Sequence, residues 1–391
     1  MNEPTSPRPR QVCVVVTARP SYSRVKTALA AIAAHPDLEL HLVVAASALL
    51  DRYGSVIDQI EADGFPIAAH VHMVVEGENP TSMAKTTGLG LLELATTFDH
   101  LEPDVVVTVA DRFETIATAV AASFMNIPLA HVQGGEVSGN IDEKVRHAIT
   151  KLADVHFVAT ELAGERVVRM GEDPATVHVT GCPSVDLAMA ARDGSRLSFD
   201  PTEEYGGVGA DIDLDQPYVI VLQHPVTTER DDAKAQVEAT LHAITDSGHQ
   251  ALWFWPNVDA GSDATSRGIR AFRETHEPGR IRFFKNLSPA HFLELLIHSA
   301  AIVGNSSVAI RECAYLGVPA VNIGTRQGGR ERGANVVDVG HDATEIRAAV
   351  DAQVARGRTA PDPLYGKGDA GLRIAELLAE VPLSIEKRLA Y

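Results

Sequence analysis

The sequence predicts an α/β protein made of two doubly wound halves joined near the middle of a 391-residue chain. Three observations carry this. Short apolar runs of strand length alternate with longer amphipathic stretches, which is the signature of βα units stacked on a parallel sheet. The alternation breaks once, at RDGSRLSFDPTEEYGGVGADIDLDQP (191–216), where Gly, Asp and Pro replace apolar residues, and then resumes. The chain is also longer than a single core usually supports.

In the first half, VCVVVTA (12–18), LELHLVVAA (38–46), DVVVTVA (104–110), IPLAHV (127–132), VHFVAT (155–160) and VHVTG (177–181) read as buried strands. RVKTALAAIAAH (24–35) and ETIATAVAASFMN (114–126) are helical patterns between them. The break at 191–216 holds a short helix of its own. In the second half, YVIVLQ (218–223), ALWFWP (251–256), RIRFFKN (280–286), AIVGN (301–305), PAVNIG (319–324) and ANVVDVG (334–340) form a second strand series, with AHFLELLIHSA (290–300) among its helices. These patterns predict a first domain over 1–190 and a second over 191–372, with a cleft between them. Open α/β sheets bind ligands beyond the carboxyl ends of their strands, so the active site is expected in that interdomain cleft.

Composition narrows the function. A formal net charge of −18 argues against nucleic acid as the main partner. No apolar stretch approaches a membrane span, and the polar, proline-rich start MNEPTSPRPRQ is unlike a signal peptide. Cys13, Cys182 and Cys313 form no disulfide or metal pattern, which suits a reducing cytoplasm. Neither HxxxH nor HExxH occurs, so no metal is expected.

The motifs fall just after strands. In AIVGNSSVAIRECAYLG (301–317), a strand ends at Gly304 and Ser306 and Ser307 open a helix, where free N–H groups favour an anion. Glu312, expected in the second turn of that helix, suits a ribose diol. NIGTRQGGRERG (322–333) combines three arginines with four glycines, as a diphosphate-binding loop or a solvated basic loop would. VVVTARPSYSR (14–24) places Arg19, Ser21 and Ser23 after the first strand without a GxGxxG, so no dinucleotide cofactor is expected. TVADRFET (108–115) sets Asp111, Arg112 and Glu114 after another strand, with helix capping the commoner role for such an Asp. VLQHPVTTER (221–230) puts His224 at a strand end, a position suited to acid/base or phosphate contact. HVQGGEVSGNIDEKVRH (131–147) crowds Glu136, Asp142 and Glu143 behind two glycines. A helix starting near Ile141 would place Asp142 and Arg146 on one face, and likewise Glu143 and His147.

Taken together, GGEVSGNIDEKVRHAITKLADVHFVAT, GCPSVD, LQHPVTT, PNVDAGS, VGNSS, RE and GTRQGGRE resemble the hydrolysing UDP-N-acetylglucosamine 2-epimerases of sialic-acid biosynthesis. The similarity runs from Val12 to about residue 380, in order and without large insertions. It implies two Rossmann-like domains of the GT-B type, with a C-terminal helix in 373–391 crossing back onto the first domain. It implies anti elimination of UDP across carbons 1 and 2, followed by addition of water, releasing N-acetylmannosamine and UDP. By position, Ser306, Ser307 and Arg326 would bind the diphosphate, Glu312 the ribose, Arg19 and Arg112 the phosphate-sugar region, and Asn257 the uridine end. Asp111, Asp142, Glu143 and His224 match positions of catalysis or substrate contact. The partner is then a UDP-sugar, with a small acceptor as the alternative to water, and a homodimer is the expected assembly.

Three departures cluster on the sugar-facing side. The family's HxEGGE becomes HVQGGE, with Gln133 for a catalytic glutamate, and a neutral amide cannot accept a proton at neutral pH. GDRF becomes ADRF at Ala110, and an aspartate becomes Ser21. Asp111, Glu136 and Asp142 are the candidates to take over proton abstraction. The alternatives are a UDP-sugar-dependent glycosyltransferase, a nucleotide-sugar hydrolase, or a catalytically silent binding protein.

Overall fold

In the computed structural model, the described residues are 8–390 apart from 51–55, 78, 110–111, 138–140, 192–196, 230, 257–261, 277–278 and 286. The chain divides into two compact units. The first comprises Met1–Glu136, Asp142–Asp186 and Asp369–Tyr391; the second comprises Val137–Ile141 and Leu187–Gly368.

The first unit is built on seven strands: β1 (Arg10–Val16), β2 (Leu38–Ala45), β3 (Ile67–Val71), β4 (Val105–Val109), β5 (Leu129–Val132), β6 (Val155–Val158) and β7 (Val177–Val179). They pair in the order β3-β2-β1-β4-β5-β6-β7, all parallel. Helices cover both faces, so central strands such as β4 are buried along their whole length and read as unbroken apolar runs. Edge strand β3 (IAAHV) alternates in burial instead, and the apolar-run pattern did not reveal it. Two core clusters sandwich the sheet, one around Val14, Leu29 and Leu42, the other around Val15, Leu94 and Phe98.

The second unit repeats the plan with β8 (Val208–Gly209), β9 (Tyr218–Leu222), β10 (Gln250–Phe254), β11 (Ile281–Phe284), β12 (Ala301–Gly304), β13 (Ala320–Ile323) and β14 (Val336–Val339). Its order is β14-β13-β12-β9-β10-β11-β8, parallel except for the two-residue edge strand β8. The segment 197–216 belongs to this unit: it contributes β8 and the expected short helix, Pro201–Tyr205.

The helix Ala370–Glu380 packs in the first unit. Asp186, the last residue of GCPSVD, is buried there and accepts hydrogen bonds from Thr27 Oγ1 at 2.8 Å, Gly371 N at 2.8 Å and Ala370 N at 3.1 Å. Its carboxylate thus satisfies backbone donors that the helix start leaves unpaired.

Candidate active site

Each sheet reverses its strand order at one place. In the first unit the reversal lies between β1 and β4, and in the second between β12 and β9. Loops leaving the carboxyl ends of two such neighbours diverge to opposite faces and leave a crevice between them, the usual ligand site of open α/β sheets. The described residues among those nominated from sequence lie at these two places or one strand away.

At the first reversal, Arg19 and Ser23 lie in the short helix Arg19–Ser23 that follows β1. Burial pulls the Arg19 guanidinium below its ordinary value. Ser23 Oγ donates back to the Arg19 carbonyl at 3.3 Å, as a serine within a helical turn does. After β4, Arg112 Nε donates to the buried Glu114 at 2.7 Å, so this guanidinium is held by a carboxylate two residues on. Asp111 lies outside the described residues, as does Ala110.

One strand further, Gln133 leaves β5 with φ 69°, a left-handed conformation unusual for a side chain of this size. It is 1% exposed and its Nε2 donates to Cys182 Sγ at 2.8 Å. The thiol is in turn 3.0 Å from Ser184 Oγ. Among the described residues, Gln133 Oε1 has no hydrogen-bond partner. Gly135 follows with φ 74°, and a Cβ there would come within 2.1 Å of the Ala163 carbonyl oxygen, so only glycine fits. Glu136 is buried, and its backbone carbonyl accepts from Arg146 Nη1 at 2.7 Å. The next helix does begin at Ile141, giving Asp142 and Glu143 its first turn. Glu143 and His147 meet at 3.3 Å across one helical turn.

At the second reversal, His224 follows β9 and is 5% exposed. Its backbone is held on both sides by one side chain: His224 N–H donates to Asn305 Oδ1 at 2.7 Å, and Asn305 Nδ2 donates to the His224 carbonyl at 2.8 Å. Gly304, at the end of β12, has φ 134°, and a Cβ there would lie 2.2 Å from the Leu222 carbonyl oxygen. That glycine lets the two strands approach closely where they diverge.

Beyond Gly304 the structure differs from expectation. Ser306 and Ser307 do not open one continuous helix. Ser306 caps a short 3-10 turn, Ser307–Ala309, and a separate helix Glu312–Leu316 begins at Glu312. Glu312 therefore stands in the first turn of its own helix. It is buried, and among the described residues its Oε2 has no hydrogen-bond partner. After β13, Arg326 Nη1 and Gln327 Nε2 both donate to the Asn305 carbonyl, at 3.2 and 2.8 Å. Asn257 lies outside the described residues.

Sequence reasoning missed Cys182, Asn305 and Gln327 as members of these clusters. Asn305 stood inside a motif that drew attention to the serines beside it. Cys182 is 49 positions from Gln133, and no local pattern connects them. Among the described residues no group of three or more His, Cys, Asp or Glu could hold a metal ion, and no helix is long and apolar enough to cross a membrane.

A family model described as UDP-N-acetylglucosamine 2-epimerase matches residues 30–379. The chain belongs to this epimerase family. Among curated relatives, a UDP-N,N'-diacetylbacillosamine 2-epimerase (hydrolyzing) from Legionella pneumophila is 33% identical over 374 residues, covering 96% of this chain and 97% of the relative. A UDP-N-acetylglucosamine 2-epimerase from Neisseria meningitidis serogroup B is 30% identical over 360 residues, covering 92% and 91%. The crystal structure of UDP-GlcNAc 2-epimerase from Neisseria meningitidis bound to UDP-GlcNAc superimposes with a TM-score of 0.78 over 95% of this chain and 100% of that one, at 16% identity. Epimerases of this family have the GT-B-type fold, and the two doubly wound sheets described above are its halves.

Proposed function

We propose that this epimerase cleaves a UDP-linked 2-acetamido sugar, releasing UDP and the free sugar inverted at carbon 2. The observation that carries the reading is the near full-length similarity to a relative described as a hydrolyzing 2-epimerase. UDP-N-acetylglucosamine and its 4-acetamido, 6-deoxy relative UDP-N,N'-diacetylbacillosamine are the substrates to test.

In this reading the domain over 191–372 binds UDP. Arg326, together with Ser306 and Ser307, neutralises and orients the diphosphate, the leaving group of the elimination. Glu312 receives the ribose hydroxyls, and its buried, unpartnered Oε2 supports that, since a buried carboxylate oxygen calls for a donor. Asn257 contacts the uridine. His224 serves the diphosphate end, as a donor to the departing oxygen.

The domain over 1–190 works on the sugar, and the helix Ala370–Glu380 completes it. Arg19 and Arg112 hold the phosphate-sugar region, with Ser23 fixing the turn that carries Arg19. Elimination needs a base for the hydrogen on carbon 2. Gln133 cannot serve, because an amide does not take up a proton at neutral pH. We assign the base to Asp142, with Glu136, Glu143 and Asp111 directing water to the glycal intermediate. We further propose a cytoplasmic location, which would keep the buried free thiols of Cys13, Cys182 and Cys313 reduced, and a homodimeric assembly.

The test is a proton NMR time course in deuterated water with each UDP-sugar. Free UDP together with a 2-inverted sugar carrying deuterium at carbon 2 is the expected result. UDP release with carbon 2 still protonated and uninverted would replace the epimerase with a nucleotide-sugar hydrolase, or with a glycosyltransferase if an added acceptor becomes conjugated.

A further inference from the structure

At the reversal between β9 and β12, every polar atom of Asn305 is occupied. Its N–H donates to the Leu222 carbonyl at 3.2 Å. Its side chain takes the His224 N–H at 2.7 Å and gives to the His224 carbonyl at 2.8 Å, so one amide pairs with both backbone groups of one residue, as a neighbouring strand would. Its own carbonyl accepts from Arg326 and from Gln327. The residue is 1% exposed, so these bonds form away from competing water. Three separate loops, following β9, β12 and β13, meet on this one side chain and its peptide.

The geometry points to Asn305 as a positioning residue that sets His224 against Arg326. β9 and β12 are paired only as far as Gly304 opposite Leu222, so beyond that point no ladder holds the two loops in register. Asn305 supplies that register. It acts not on substrate or reacting atoms but by fixing where the His224 ring and the Arg326 guanidinium start from. The inference rests on the proposed roles of those two residues. Displacing a reacting group by about 1 Å can cost about a hundredfold in rate, so the loss of this register should show mainly in turnover.

The experiment is a double-mutant cycle on the full chain. Asn305→Ala, Asn305→Asp, His224→Ala and the Asn305→Ala/His224→Ala double variant are assayed for kcat and KM by UDP release, and for UDP affinity by calorimetry. Asn305→Asp keeps the shape and the acceptor for the His224 N–H but removes the donor to its carbonyl. The expected result is a fall in kcat of about 30- to 100-fold for Asn305→Ala, with a smaller fall for Asn305→Asp. UDP affinity is expected to weaken by less than about tenfold, and Asn305→Ala should have little further effect once His224 is gone.

Full additivity in the cycle, with His224→Ala itself strongly impaired, would overturn the positioning role and leave the proposed function standing. A His224→Ala protein with wild-type turnover would instead remove His224 from the reaction, and the positioning role with it. Failure of both Asn305 variants to reach the wild-type circular dichroism spectrum would make Asn305 a folding residue, and the inference would fall.

Discussion

The two reversal points share one topology and hold their loops in opposite ways. In the second unit, the buried Asn305 amide after β12 grips both backbone groups of His224 after β9, and the strand ends approach so closely that only glycine fits at Gly304. In the first unit Arg112, at the reversal, is paired with the Glu114 side chain, and Gln133, one strand further, with the sulfur of Cys182. A grip on backbone survives changes in the residue that is gripped, whereas a pair of side chains is lost when either partner is substituted. The three departures from the family pattern, Gln133, Ala110 and Ser21, all fall in the first unit. Under the proposed function, the half that binds UDP is therefore fixed while the half that works on the sugar is free to drift.

The strongest way to break this contrast is to remove the proposed base. Asp142→Asn should lower kcat by at least about a thousandfold, because the proton on carbon 2 would have no acceptor. UDP affinity should be unchanged. Calorimetry beside a turnover assay checks both, and a matching loss of UDP binding would show that the halves are not separable. The converse is Arg326→Ala, for which UDP should bind about 10- to 100-fold more weakly, as expected when a charged partner of a diphosphate is lost.

Gln133→Glu sharpens the comparison within the first unit. The new carboxylate loses the Nε2 donor to Cys182 and enters a buried position, so thermal unfolding should show a loss of about 2 kcal/mol. Turnover should persist, because the family's glutamate position is no longer where the base resides. A rise in kcat of more than about tenfold would show the opposite, that the amide limits the present enzyme.

How much of this could be read from sequence followed the same physics. All six strands expected in the second half were found: β9 to β13 lie inside the sheet and are largely buried and apolar, and the edge strand β14 (VVDV) keeps three valines although it is not buried. Strand β3 escaped because it lies at an edge and alternates, and β8 because two residues in a glycine-rich stretch carry no period. His224 and the Asn305-Ser306-Ser307 run were each recognisable at strand ends. Their union was not, since it depends on β12 returning beside β9, and strand order is not a local property. GCPSVD drew attention as a family motif, yet its Asp186 anchors the C-terminal helix, a role legible only once Thr27 and Gly371 stand beside it.

The smallest effect lies at the other edge of the first sheet, around His156 of β6, Lys151 and Glu172 in the segments before β6 and β7, and Lys387 of the C-terminal segment. Glu172 is buried there and receives hydrogen bonds from Lys151 at 2.5 Å, His156 at 3.2 Å and Lys387. Lys387 belongs to the C-terminal segment and also donates to the Ala153 carbonyl. Burial alone would push the Glu172 carboxyl up, but the bonds from His156, Lys151 and Lys387 and the charge of Lys387 outweigh it and hold it at about 2, below the ordinary 4.5. A carboxyl with a depressed folded value adds stability that is complete above 4.5 and is lost as the pH falls toward 2. Burial also lowers His156 from 6.5, against the pull of Glu172, so the unfolded chain binds a proton there before the folded one does. Both groups therefore make the first unit weaken in acid. Lys387→Ala should cost about 1–2 kcal/mol at neutral pH, since Lys151 and His156 still pair with Glu172. The difference in Tm between wild type and variant should shrink as the pH falls below about 4 toward 2, where folded Glu172 loses its charge and only the carbonyl contacts of Lys387 persist. An unchanged difference across that range would mean that Lys387 works through packing rather than through charge. UDP affinity at neutral pH should not move in the variant, because the second unit shares none of these groups.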